Sequence, residues 1–233
     1  MGQGHLRGAD GTSYSPIISA YMGHYGTNSP DNTKPDKFIW KWSSDGNYNT
    51  AFAYKAFFHG QEIMRGGKEL WKAKAPLKHK FFFWLALYKR CWTSQRLQRH
   101  NLPNHGNCAL CDQEEESIDH LVLGCVYSKE CWFKLLRPSG YQQLMPRSNA
   151  ELVDWWLLSR KKVAKTARKG FDSLVMLTVW TIWCERNKRI FNNVSRLQAA
   201  VIENIREEAT LWNRAGNKEL STRVVLALYP AML

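Results

Sequence analysis

The spacing Cys108-Ala109-Leu110-Cys111, then His120 after eight residues and Cys125 after four more, constrains this chain more than any other feature. Three thiols and an imidazole in one short stretch match a donor set that tetrahedral zinc accepts. The Cys-x-x-Cys turn delivers two thiolates from one tight loop. The His and Cys at the end of a short helix supply the other two. Four protein donors leave no position for water, so such a site is structural and its binding energy acts as folding energy. Spacing alone also admits four unrelated residues, or a redox Cys-x-x-Cys, although no thioredoxin-like βαβ pattern surrounds it. Cys131, beside Trp132, reads as a buried thiol rather than a fifth donor, and Cys91 and Cys184 as core thiols. His79 and His100 read as surface or packing groups.

The six cysteines do not form the dense framework of a small secreted scaffold. Met1 to Ser15 is Gly-rich and polar, without the apolar run of a signal peptide. Leu6 stands where a myristoylation signal at Gly2 needs Ser or Thr. The longest uncharged stretch, Ser173 to Cys184, is too short to span a bilayer. The expectation is an intracellular chain in a reducing compartment, without a membrane partner. Lys and Arg number 33 against 20 Asp and Glu, a formal charge of +13. That excess suits a polyanion, nucleic acid before anionic membrane.

Periodicity predicts a mainly α fold. Met1 to Asp36 is rich in Gly, Ser, Asn and Pro and is expected to be disordered. Phe38 to Trp42 alternates like a strand, Ser43 to Gly46 reads as a turn, and Asn47 to Asn49 as a return strand, giving an N-terminal β-hairpin. Thr50 is placed to cap a helix through Phe58. Pro76 suits the first turn of a helix over Leu77 to Lys89, apolar enough to predict burial on most sides. Ser117 is placed to cap the helix that carries His120, and Gly124 to end it. Helices are also expected at 94–100, 128–136 and 151–158. Phe171 to Phe191 and the stripe Leu197, Val201, Ile205, Ala209 and Trp212 form a last antiparallel pair. The predicted organisation is a zinc-binding domain over 37–137, a linker over 138–149, a helical region over 150–215 and a tail over 216–233.

Lys41 to Gly46, the aromatic helix around Tyr54, Trp71-Lys72, Pro76 to Lys78, Phe81 to Ala86, the four donors and Trp132 occur in one order. This series resembles the zinc-binding domain that follows the polymerase in plant non-LTR (long interspersed element) retrotransposon reverse transcriptases. Trp180 to Asn187 with Ile190-Phe191 resembles the tail of the same elements. The resemblance implies one structural zinc on Cys108, Cys111, His120 and Cys125, and a role in binding nucleic acid, RNA or DNA. A polymerase needs paired carboxylates for two metals. This chain has no Asp-Asp pair. It is therefore expected to be detached from polymerase and endonuclease, and not an enzyme.

Between Cys108 and Cys125 the charged residues are Asp112, Glu114, Glu115, Glu116 and Asp119, with no Lys or Arg and no aromatic ring. Phosphate is repelled there, so the loop is expected to hold the fold and contact to lie elsewhere. The candidates are Lys72, Lys74, Lys78, Lys80, Lys89, Arg90, Arg96 and Arg99, with Arg160, Lys161, Lys162, Lys165, Arg168 and Lys169. The bland alternative is solvated helix faces. The second basic run also fits a nuclear import signal. No small-molecule substrate is indicated. The competing functional class is a helical protein-interaction or scaffold module, acting beside a separate reverse transcriptase or another protein, or an inactive retroelement remnant.

Overall fold

The computed structural model describes residues 39–41, 43–57 and 64–217. The chain divides into two compact units, Met1–Ile63 and Met64–Leu233. The predicted segment Met1 to Asp36 lies outside the described residues.

In the first unit the Trp40 N–H donates to the Gly46 carbonyl at 2.8 Å, and Ser43 Oγ to the Asn47 carbonyl at 2.8 Å. Gly46 takes a left-handed φ of 71° to close this turn. The Trp40 and Tyr48 rings meet edge to face, 5.0 Å apart. The turn is present where expected, but no strand forms among residues 39–41 and 43–49, because one cross-bond closes a loop and builds no ladder. Phe38 and Trp42 of the expected hairpin lie outside the described residues. The helix that follows, α1 (Thr50–Phe57), is capped by Asn49, whose Oδ1 accepts the Ala51 N–H at 2.8 Å, and not by Thr50.

The second unit is helical. It runs through α2 (Gly67–Lys72), α3 (Leu77–Leu87), α4 (Ser94–Arg99), a π-helical turn (His120–Gly124), α5 (Val126–Leu136), α6 (Leu152–Lys162), α7 (Arg168–Asn192) and α8 (Gln198–Arg214). Single 3₁₀ turns occur at Gln142–Leu144 and Lys165–Ala167. Pro76 stands directly before α3, as expected of a residue with a fixed φ and no N–H. One side of α3 is fully buried, through His79, Phe82, Phe83 and Ala86, and Trp84, Leu85 and Leu87 are half-buried against the core. Leu77 is 76% and Phe81 55% exposed, which corrects the expectation of burial on most sides.

α7 and α8 pack together across the short link 193–197, as their adjacency predicts. Asn193, with φ 53°, ends α7, and the Val194 N–H returns to the Lys188 carbonyl at 3.1 Å. The predicted stripe Val201, Ile205, Ala209 and Trp212 is buried, whereas Leu197 at its head is exposed. One core joins Phe83 of α3, Leu121 and Leu123 of the π turn, Trp132 of α5, Trp156 of α6, Leu174 of α7 and Ile205 of α8. Helices on both sides of 138–149 thus share one interior. Leu144 within that stretch is buried too, and its carbonyl accepts the Trp155 indole N–H at 2.8 Å.

Candidate metal centre

Two local devices bring the four sequence-predicted donors together. The Asn107–Glu115 antiparallel bridge closes the loop, with the Cys108 N–H bonded to the Glu114 carbonyl at 2.8 Å. The Asp112 N–H returns to the Cys108 carbonyl at 2.8 Å, and Asp112 adopts a left-handed φ of 55° to complete the tight Cys-x-x-Cys turn. The second device is the π turn. Residues five apart on an α-helix point roughly 140° away from each other. Here the Cys125 N–H reaches the His120 carbonyl at 2.7 Å, an i→i+5 bond that brings the two donors round to the same side. Ser117 starts the turn as expected, its Oγ accepting the His120 N–H at 3.0 Å. Gly124 is required by space: a Cβ there would lie 2.8 Å from the Ser148 carbonyl oxygen and 3.3 Å from His120 Nδ1.

The donor atoms of Cys108, Cys111, His120 and Cys125 all lie within 4.8 Å of one another. A tetrahedral ion with zinc–sulfur bonds of about 2.3 Å would hold them about 3.5–3.8 Å apart, so small side-chain movements suffice. Cys108 and Cys125 are fully buried and His120 nearly so. His120 Nε2 faces Cys111 Sγ at 3.3 Å, while Nδ1 lies 3.0 Å from Glu114 Oε2. That carboxylate fixes the tautomer with the proton on Nδ1 and leaves the Nε2 lone pair for a metal. The Cys108 thiol is pushed up to about 12 by its hydrogen bond to Cys125 and by burial. The same bond holds Cys125 below the ordinary thiol range, and His120 is raised by its bond to Cys108 against the effect of burial. A divalent ion bound here would displace the thiol protons. The residues fit zinc, which would cross-link the loop to the π turn. Cys131 is buried on α5, outside the four.

The acidic residues of the loop do more than repel phosphate. Glu116 is completely buried, and its carboxylate accepts from Arg186 Nε at 3.1 Å and Nη2 at 2.5 Å, and from the Ser94 N–H at 3.0 Å. Arg189, one turn further along α7, donates to the Ala109 and Leu110 carbonyls at 3.3 and 3.1 Å, inside the Cys-x-x-Cys turn. Glu185 joins Arg189 to Arg196. Asp119 accepts the Leu152 N–H at 2.8 Å, capping α6, and pairs with Lys89 at 3.1 Å. Sequence reasoning gave none of Glu114, Glu116, Arg186 or Arg189 a structural role. Nothing in the sequence marks the two arginines, because they stand in the polar run Glu185 to Arg189, where they read as solvated cations.

The basic candidates separate into two groups. Arg160 pairs with the buried Asp172 at 2.9 Å, Lys89 with Asp119 and Glu151, and Arg168 donates to the Val163 and Lys161 carbonyls. Lys80 donates to the Trp71 carbonyl, and Arg96 lies over the Trp92 ring at 4.7 Å. These five are occupied within the protein. Lys72, Lys74, Lys78, Arg90, Arg99, Lys161, Lys162, Lys165 and Lys169 are exposed. Among the described residues, no helix is long and apolar enough to cross a membrane.

Residues 48–132 match the family described as zinc-binding in reverse transcriptase. The chain is also similar to a protein of Arabidopsis thaliana that is named as a ribonuclease H protein. The two are 26% identical over 171 residues, which cover 71% of this chain and 27% of that protein. This chain therefore spans about a quarter of the relative's length. No solved structure matches. Together the family match and the plant relative bear out the resemblance to a retrotransposon-derived, reverse-transcriptase zinc-binding domain, with zinc as its cofactor.

Proposed function

We propose that this chain, whose residues 48–132 carry a reverse-transcriptase zinc-binding domain, is a non-catalytic module that binds nucleic acid non-specifically through basic helix faces. The observation that carries the reading is the convergence of four protein donors within 4.8 Å at a buried loop. Cys108, Cys111, His120 and Cys125 would fill all four positions of a tetrahedral ion, leaving none for substrate or water. With three thiolates the loop carries about one net negative charge at the metal, which disfavours phosphate. Contact then falls to the exposed lysines and arginines of 72–99 and 161–169, out of a total charge of +13. Phosphate contacts of this kind position a strand without reading its sequence.

A gel-shift titration of the zinc-loaded protein across salt tests this. Retention at low salt, falling linearly in log K against log salt, supports the reading. No retention at low salt, or retention indifferent to salt, rejects it. The apolar turn between α7 and α8, with Phe191 74% and Leu197 76% exposed, favours a second reading as a protein-interaction module. Nuclease-resistant capture of a protein partner, lost on replacing those two residues, would support that reading instead.

A further inference from the structure

The exposed side of α3 carries a ring ladder. Phe81 and Trp84 are near-parallel at 24° with centroids 5.6 Å apart, and Trp84 meets Tyr88 at 5.3 Å. Phe81 is 55% and Tyr88 44% exposed, so each end of the ladder offers ring surface to solvent. Exposed rings in a row on one helix are an unusual surface for a stable protein to present without a partner.

Positive charge borders the ladder. Lys78 precedes Phe81 by three residues and so adjoins it on the helix surface. Lys78 also lines a cleft of about 220 Å³ between α3, α7 and α8, together with Lys188 and Arg196; Glu208 is the one carboxylate among its lining residues. Arg196 already holds Glu185 through Nε, so Lys78 and Lys188 against Glu208 leave the cleft about one positive charge. His79 lines the same cleft, is 2% exposed, and has no hydrogen-bond partner for Nδ1. Stacking rings beside a basic groove are what strands with splayed bases require. A duplex, whose bases are already stacked, has no use for the rings.

We infer that the exposed face of α3 is a stacking platform for single-stranded nucleic acid, with the adjoining cleft seating a backbone phosphate. This rests on the nucleic-acid reading above and adds to it the strand state and the face. Lys188 becomes a contact residue that the sequence did not nominate.

The test is fluorescence anisotropy of the full zinc-loaded chain with a short homopolymeric single strand and with a duplex of equal length. The variants are Phe81→Ala with Tyr88→Ala, the same pair changed to Leu, and Lys188→Ala. The Leu pair keeps apolar bulk on the helix but removes the π faces, so a folding defect in the Ala pair does not decide the outcome. Both aromatic pairs are expected to bind the single strand about tenfold or more weakly while leaving the duplex within about twofold. Lys188→Ala should reduce the salt slope on the single strand by about one. Single-strand binding unchanged in the Leu pair overturns this inference while leaving salt-dependent duplex binding, and the broader function, intact. Absence of binding to both nucleic acids at low salt overturns both.

Discussion

Arg186 stands on a helix largely given to the core, with its side chain 3% exposed against a Glu116 that is 0% exposed. Removing one partner of such a pair strands the other charge, typically at a cost of about 3–5 kcal/mol. Arg186→Met should therefore lower the melting temperature sharply, and adding Glu116→Gln should restore much of the loss. Equal stability in the single and double variants would show that the pair is not coupled. A sequence reader sees Glu116 as one more acid in a charged loop, because its partner is 70 residues away. The four donors were legible because chemistry demands their residue types, whereas the carboxylates around them are identified only by what they face. His79 illustrates the same limit. Burial, with the Lys78 charge second, pulls its imidazole down from 6.5 to about 4. The unfolded chain therefore takes up this proton first. The stability that His79 contributes is complete above about pH 6.5 and falls by about 3 kcal/mol as pH drops towards 4. Denaturant melts of the wild type and of His79→Phe across that range should differ in slope, the variant being flatter. Parallel slopes would remove His79 as the cause.

At the scale of elements, most of the helices were readable because apolar periodicity and capping residues agree. The π turn was not. The spacing of four residues between His120 and Cys125 misaligns the donors on an α-helix, and only the backbone shows the i→i+5 bond that corrects it. The amphipathic sense of α3 was also hidden, since apolar residues surround it and only the packing shows which side is left open. The same packing ties the metal loop to α7 through Arg186 and Arg189, so loop and helix should loosen together. Hydrogen exchange on the zinc-loaded protein, before and after chelation, should show faster exchange in 106–125 together with 185–192. The α7 segment 171–180, buried against other helices, should change far less. Exchange that rises in the loop alone would mean that the arginine clamp does not transmit metal loss to α7.

For the whole molecule, composition pointed to a polyanion partner, and the structure redistributes that charge. Arg160, Arg168 and Lys89 are committed to internal contacts, while the exposed lysines of α2, α3 and the α6–α7 connection remain on the surface. Which cations would be consumed internally was not readable, because it depends on long-range partners such as Asp172. The shared interior of the second unit was equally hidden, since periodicity identifies helix faces without saying which faces meet. The metal loop's place against this interior rests on one ion closing on Cys108, Cys111, His120 and Cys125. Metal analysis by native mass spectrometry on untagged protein, paired with a thermal melt under chelation, tests that directly. One zinc per chain is expected, absent from Cys108→Ser, with chelation lowering the melting temperature and releasing helicity. A chain that purifies without zinc, or that melts unchanged after chelation, would contradict it.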